Sequence, residues 1–533
     1  MRTIPILLAC LLSMLLSMAH ASSSKNIDEL LIELTKVKLN KAIPVLKALE
    51  AHDAQKMMPL FQRMLKGQLY YIKSDRSLIS VEKIGGTKQY ASIFEAKQIE
   101  ALPKKSIKKI RVNNKLRRFL RESLARIQLS AAEPEAREKA LLSLLSDLDK
   151  STINTIKTLK EKELDADVLD VMDMAIAMFT LSDSSDPKVR LAAVHKLSDR
   201  LENDVRNLIV ITAEKDSDED VKSAAKQALV LIDRRIEKYQ FVDKVFFGLS
   251  LGSVLLLAAI GLAITFGVMG VINMAHGEMI MLGAYTTYVV QLMMPNAIEY
   301  SILVAIPLAF LVSGCVGILI ERGVIRHLHG RPLETLLATF GISLILQQLV
   351  RTVFSPLNRP VQSPSWMSGS LDINPVLSLT LNRLYILAFA LLVFGLLLLI
   401  LNKTSLGLNV RAVAQNRSMA KAMGIRTDRV DAMTFGLGSG IAGMAGVALS
   451  QLTNVGPNLG QAYIIDSFMV VVFGGVGNLW GTLVAGFSLG LSTKFIEPIT
   501  GAVLASILVL VFIILFIQKR PKGLFPQKGR AAE

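Results

Sequence analysis

GSVLLLAAIGLAITFGVMGVINMAHGEMIMLGAY, residues 252–285, decides the fold. An apolar run approaches the roughly 20 residues a helix needs to cross a hydrocarbon core, and a second run follows it. Between them stands one polar group, Asn273-Met274-Ala275-His276-Gly277-Glu278. Ionisable groups at that depth are costly and face a cavity or each other. Asn273 offers an amide, His276 an imidazole that donates or accepts, and Glu278 a carboxylate, so a polar solute could exchange its water for them. A tight turn near the interface, with Glu278 as an N-terminal helix charge, is the competing reading.

Working outward, spans are expected near residues 245–272, 277–294, 300–320, 333–350, 384–401, 431–452, 463–476, 480–496 and 499–517. The expected architecture is an all-α polytopic membrane domain of eight to ten transmembrane helices over residues 241–533. Fourteen Lys and Arg, from Arg322 to Arg530, fall in loops of one side, and four, Arg351, Arg359, Arg383 and Lys494, in loops of the other. That bias marks the first side as cytoplasmic, and the C-terminus with it.

GLNVRAVAQNRSMAKAMGI, residues 407–425, is a basic helix-forming segment between two spans on that cytoplasmic side, and it reads as a docking handle for a partner. GGVGNLWG, residues 474–481, breaks a helix at membrane depth, where irregular backbone is tolerated only inside protein or along a cavity, so Asn478 joins the pathway candidates. Gln347, Gln348, Thr434, Ser439 and Asp466 are thinner ones. Pairs at GxxxG spacing, Gly248/Gly252, Gly436/Gly440 and Gly477/Gly481, suit close helix packing.

The first half is a different material. Residues 22–244 hold 41 basic and 34 acidic side chains, against 18 and 10 in residues 245–533. Residues 1–21, with Arg2 before an apolar run and Ala19-His20-Ala21 at its end, read as a signal peptide, so residues 22–240 are expected to be an exported, periplasmic domain. Leu69–Ile72 and Leu78–Val81 read as a β-hairpin. Three segments share one template: Ala136-Arg137 with Ala140 and Leu144, Val189-Arg190 with Ala193 and Leu197, and Val221-Lys222 with Ala225 and Leu229. Each follows an acidic start suited to a helix N-terminus, which suggests a mainly helical, HEAT-like array; an ordinary helical bundle is the alternative. A basic stripe from Lys104 to Arg126 carries no assigned role.

Composition excludes several classes. The net charge of +16 is not a nucleic-acid footprint, because the charges of the second half collect in loops beside apolar spans, which is a membrane pattern. Two cysteines, one in the leader and one in a span, supply neither a disulfide framework nor a metal site. No GxxxxGK[ST] or HExxH occurs, so no catalytic residue or cofactor is expected and any ATP must be bound by another subunit.

Residues 252–285, 407–425, 468–486 (FMVVVFGGVGNLWGTLVAG) and 520–525 (RPKGLF) together resemble the permeases of the branched-chain amino acid and urea ABC importers. The signal peptide and long exported region are most similar to the urea type. Met274 stands where many relatives carry an aromatic residue. The resemblance implies a non-enzymatic transport subunit for a small polar solute in the inner membrane, working with a second permease, two ATPase subunits and an exported solute-binding protein. It implies a coupling helix containing Arg411, Asn416 and Lys421, bounded by Gly407 and Gly424, and a solute path past Asn273, His276, Glu278 and Asn478. A branched-chain amino acid or short-amide importer is the alternative solute reading, and a membrane-anchored HEAT-like scaffold the alternative class.

Overall fold

The computed structural model describes residues 27–526 apart from 38–40, 85–86, 95–97, 100–102, 104–105, 130 and 147. The expected leader, with Lys104, Lys105, Lys528 and Arg530, lies outside the described residues. Contacts divide the chain into Met1–Asp233 and Arg234–Glu533, seven residues before the expected boundary.

In the first unit, α1 (Ile27–Lys36), α2 (Ala42–His52), α3 (Ala54–Leu65) and α4 (Asn114–Gln128) bury Leu46, Leu49, Met57, Leu60, Phe61, Met64, Leu116 and Leu120 completely. Asp53 and Asn113 cap α3 and α4 by accepting from Lys56 and Leu116 backbone amides. The hairpin forms where the alternation placed it, β1 (Leu69–Ile72) against β2 (Leu78–Ile84), with Leu69 opposite Ser80. It is part of a larger sheet, because β3 (Thr87–Ser92), β4 (Gln98–Ile99) and β5 (Ile107–Lys109) extend it in the order β4-β3-β2-β1-β5.

Then come α5 (Pro134–Leu144), α6 (Lys150–Lys160), α7 (Ala166–Asp183), α8 (Pro187–Leu197), α9 (Asn203–Lys215) and α10 (Glu219–Met269). The shared template opens α5, α8 and α10, with proline in the first turn of α5 and α8 where its missing N–H costs nothing. The basic residue of the template has a physical role in the first two copies. Arg137 donates to both Glu163 oxygens at 2.8 and 2.7 Å and to the Ala131 carbonyl at 2.8 Å. Arg190 repeats this with Asp216 at 2.9 and 2.8 Å and the Ser184 carbonyl at 3.1 Å. Each arginine forks onto an acid 26 residues later, so the template pins one helix start to the loop closing the next helices. The third copy has Lys222, which reaches only Glu219. A stacked helical array is compatible with this arrangement.

The second unit holds the apolar half of α10, then α11 (His276–Met293), α12 (Ile298–Gly323), α13 (Pro332–Phe354), the hairpin β6 (Ser370–Asn374) and β7 (Leu377–Thr380), α14 (Leu381–Lys403), α15 (Ser405–Gln415), α16 (Arg417–Ala422), α17 (Thr427–Ser450), α18 (Leu459–Gly474), α19 (Leu479–Thr500) and α20 (Ala502–Lys519). Among the described residues seven helices, α10, α12–α14, α17, α19 and α20, are long and apolar enough to cross a membrane. The other two expected spans are helices too: α18 is shorter, and α11 is diluted by His276, Glu278 and Gln291. Helices of this number, length and composition make the second unit a multi-pass membrane domain.

Loops gather at two ends of this unit. At one, Arg326 reaches Asp428 at 3.2 Å, Arg417 pairs with Asp431, and the Leu524 amide donates to the Phe473 carbonyl at 2.9 Å. At the other, Gln291 meets the Gln362 carbonyl at 2.7 Å, Glu299 receives Ser365 at 2.9 Å, and Arg351 reaches Asn458 at 2.7 Å. The basic loops share the first end.

Helix packing follows from small residues. A Cβ at Gly252 would stand 2.8 Å from Phe487 of α19, and one at Gly440 would strike Phe310 of α12. In lipid, where no hydrophobic force separates helix from tail, such close approach is what holds helices together.

Candidate functional site: a re-entrant turn and a two-part basic segment

The polar group of residues 273–278 lies deep because the chain folds back on itself. His276 Nε2 donates to the Ala258 carbonyl at 2.9 Å, yet α10 continues eleven residues past Ala258 to Met269, about 16 Å of helix. Residues 270–273 run back along α10 without regular structure, Met274 and Ala275 turn, and the His276 side chain reaches the rest of the way to Ala258. Gly270, at φ +67°, makes the reversal. The same device recurs in the second half, where residues 451–458 run inward from the end of α17 before α18 begins. Val455 and Arg359 hold that segment by a reciprocal backbone pair at 2.7 and 2.9 Å. The two re-entrant helices meet at their N-termini: a Cβ at Gly277 would stand 2.6 Å from the Gly460 carbonyl, and one at Gly460 would strike the Gly277 carbonyl.

The structure seals the first three pathway candidates inside the chain. Asn273, His276 and Glu278 are 2, 0 and 1 % exposed. Asn273 Oδ1 accepts from the Ala275 amide at 3.0 Å, which shapes the turn. Glu278 Oε1 accepts from Ser343 at 2.9 Å and from Gln347 at 2.7 Å, both on α13. Thr339 on the same helix accepts from the Met274 amide at 3.1 Å. Thr335, Thr339, Ser343 and Gln347 therefore form one buried stripe at four-residue spacing, while Leu333, Leu337, Ile345, Leu349 and Val353 face outward. This inside-out helix supplies the donors that residues 272–278 need away from water. His276 Nδ1 and Glu278 Oε2 keep no hydrogen-bond partner among the described residues.

Asn478 is not brought to this group. It caps α19, accepting from the Gly481 amide at 3.1 Å, and its Nδ2 donates to the Phe525 carbonyl at 3.3 Å. The expected break occurs around it, with Gly475 at φ +104° and Gly477 at φ +80°. Asn478 instead shares a cavity of about 310 Å³ with Gly267, Leu401, Arg411 and Trp480, beside the basic segment. Of the thinner candidates, Gln347 belongs to the Glu278 network, Gln348 is exposed, Thr434 bonds back to the Val430 carbonyl, Ser439 packs against Gly317, and Asp466 is partly exposed.

The basic segment is two helices and not one. The chain breaks at Asn416, whose backbone is extended at φ −150°, ψ 99° and whose side chain accepts from the Met419 amide at 2.9 Å. Asparagine favours a cap over a helix interior because its amide satisfies an orphan N–H there. Gly407 does not bound the helix: Thr404 caps α15 and Gly407 sits in its first turn, where a Cβ would strike the Leu401 backbone. Gly424, at φ +88°, does follow the end of α16.

Arg411 donates to the Leu401 carbonyl and so closes the C-terminus of α14. Arg417 grips Asp431 of α17. Val410, Val413 and Ala420 pack inward against Val430, whereas Leu408, Met419 and Met423 are 61, 59 and 77 % exposed, with Lys421 exposed beside them.

The unit is a glycine-packed helical bundle with two re-entrant helices and an exposed apolar and basic face on α15–α16. Residues 244–517 match the family described as the branched-chain amino acid transport system permease component. The chain belongs to that family. The permease is 33 % identical over 291 residues to the high-affinity branched-chain amino acid transport permease LivH of Salmonella typhimurium, covering 51 % of this chain and 94 % of that protein. It is 31 % identical over 290 residues to LivH of Escherichia coli K12, with the same coverage, and 29 % identical over 297 residues to BraD of Pseudomonas aeruginosa, covering 54 % of this chain and 96 % of BraD. No solved structure matches. The family is one of transport-system permeases, and the chain is a transport subunit and not an enzyme.

Proposed function

We propose that this permease carries a small polar solute inward as one of two related permeases, driven by two ATPase subunits on its basic, cytoplasmic end and supplied by an exported solute-binding protein. The exposed face of α15–α16 carries the proposal. Leu408, Met419 and Met423 leave apolar surface at a loop, where a soluble protein gains nothing from exposing it, and Arg411 and Lys421 add charge. A groove in an ATPase is the partner that covers such a face and turns nucleotide-driven closure into helix movement. Arg417–Asp431 passes that movement to α17, and Arg326–Asp428 ties the same helix to the loop after α12. The signal peptide and the N-terminal domain then belong to the periplasmic side, and the C-terminus to the cytoplasm.

Urea is the solute we favour, on the strength of the long region before the membrane half. Branched-chain amino acids are the second reading, favoured by what the relatives' names say of those proteins. Competition among urea, short amides and leucine for uptake by the reconstituted complex separates the two.

For coupling, the test is co-purification of the ATPase subunits with the full chain carrying Met423→Asp or Lys421→Glu. Loss of the ATPase from a variant that still folds is expected; full retention in both would remove the coupling role.

A further inference from the structure

At the end of the second unit away from the basic loops, a cavity of about 450 Å³ opens between α10 and the turn that joins α19 to α20. Asp243, Lys244 and Phe247 line it from α10, and Lys494, Glu497 and Gly501 from the other side. Helix packing fixes that juxtaposition. Below the cavity a Cβ at Gly248 would stand 2.9 Å from the Leu491 backbone, and beside it the Phe241 and Phe495 rings lie 5.4 Å apart. Gly501, at φ +84°, leaves open space where a side chain would stand. Lys494 and Glu497 pair at 2.6 Å, while the Asp243 and Lys244 side chains form no ion pair among the described residues. All four are partly buried, and their charges sum to zero. Two cations and two acids in one cavity match a ligand that is itself both anion and cation. From Ala502, which also lines the cavity, the exposed side chains of Val503, Ile507 and Val511 descend α20 one turn apart, an apolar track that starts at the cavity.

We propose that this cavity seats the headgroup of phosphatidylethanolamine, with an acyl chain along Val503, Ile507 and Val511. Lys244 and the N–H groups of Lys494 not taken by Glu497 donate to the phosphate, and Asp243 with Glu497 accepts from the primary ammonium. An anionic lipid such as phosphatidylglycerol leaves both carboxylates unanswered. Phosphatidylcholine has no N–H for them, and its quaternary ammonium is bound by aromatic faces. The cavity has one such ring, Phe247, and Arg383 already lies 4.9 Å from its centre. A lipid held here fastens α10 to the α19–α20 turn where the chain enters its membrane half. The inference goes beyond the permease reading, since it needs neither solute nor ATPase.

The test is native mass spectrometry of the full chain in detergent, titrated with phosphatidylethanolamine, phosphatidylglycerol and phosphatidylcholine of one acyl composition. The ethanolamine lipid is expected to be retained about fivefold more than either of the others, the ratio a single hydrogen bond supplies. Asp243→Asn/Lys244→Gln should lose that preference, and Lys494→Gln, a milder change that guards against misfolding of the double variant, should weaken it. Arg331→Gln/Glu334→Gln, which removes an exposed ion pair at the opposite end, should keep it. Equal retention of the three lipids by the unaltered chain, or a preference that survives in the cavity variants, overturns the proposal. A millimolar excess of O-phosphoethanolamine is the arm for the free headgroup. Little displacement of the lipid is expected, and full displacement assigns the cavity to a soluble zwitterion and overturns the lipid as its occupant. Solute uptake and ATPase co-purification are read separately, so failure of the lipid site and failure of the permease reading are distinguishable.

Discussion

Replacing Gln347 by leucine takes one of two donors from a carboxyl that is 1 % exposed. The lost contact is short, 2.7 Å, and Glu278 Oε2 has no partner to compensate. Hydrogen bonds to charged groups contribute about 1.5–3 kcal/mol in general, but polar pairs between membrane helices reach only about 1.7 because the unfolded chain in lipid also finds partners. The two ranges overlap near 1.5 kcal/mol, about a tenfold fall in the folded-to-unfolded ratio. Ser343→Ala removes the longer, 2.9 Å contact and should cost less. The control is the next residue: Gln348 is exposed, so Gln348→Leu puts an apolar side chain against lipid and should be neutral or stabilising. Reversible unfolding of the full chain in mixed micelles, or its thermal midpoint by fluorescence-detected size exclusion, reads the difference. Equal stability of Gln347→Leu and wild type, or a larger loss from Gln348→Leu, would refute the inside-out assignment of α13.

Other expectations follow from single contacts. Gly460→Val puts side-chain atoms into the Gly277 carbonyl, and the two helix N-termini must part; overpacking of about 1–3 kcal/mol or more should appear as loss of monodisperse protein on size exclusion, whereas Gly395→Val, in open space, should be tolerated. Asn416→Ala removes the cap of α16 at a cost of about 1 kcal/mol, read as faster hydrogen exchange in residues 417–422 with the remaining helices unchanged. The side-chain hydrogen bond from Arg137 holds the Glu163 carboxyl below its ordinary range, and that from Arg190 does the same for Asp216. Because these folded-state values are depressed, their stabilisation is complete above the ordinary carboxylate pKa of about 4 and is lost as pH falls through the lowered values. Hydrogen-exchange protection in α5–α9 of the full protein, corrected for the intrinsic rate at each pH, should therefore fall more between pH 4 and pH 2.5 than in Glu163→Gln/Asp216→Asn, which lacks both carboxylates. An identical acid response in the double variant would contradict the role given to the two forks.

Much of the fold was legible because its signals are local. Apolar runs near membrane length located nine of the eleven α-helices described in the second unit, all but α15 and α16, and Asn478 with its glycines located a real break. The re-entry of residues 270–275 was not legible, since it shows only in the contact of His276 with Ala258, eighteen residues away. The sheet around the hairpin was missed for a related reason: β5 joins β1 from 35 residues downstream, and a basic stretch gives no strand signal. Glycine commonly ends helices, so Gly407 reads as a boundary, but here it admits the backbone of Leu401. Two features were present and unread. Thr335, Thr339, Ser343 and Gln347 recur every four residues in an otherwise apolar span, which is the signature of a polar face turned inward. Asn416 stands before a short second helix in a capping position, which foretells two helices where propensity alone suggests one.

The central claim is that this permease moves solute only when an ATPase engages α15–α16. Reconstitution of the wild-type complex in proteoliposomes, with ATP on the ATPase side and the binding protein on the other, measures it directly through uptake of labelled urea and labelled leucine. The account predicts ATP-dependent accumulation of one of them, abolished by Met423→Asp together with its loss of ATPase. Accumulation that persists without ATP, or that is unchanged in Met423→Asp, would contradict it.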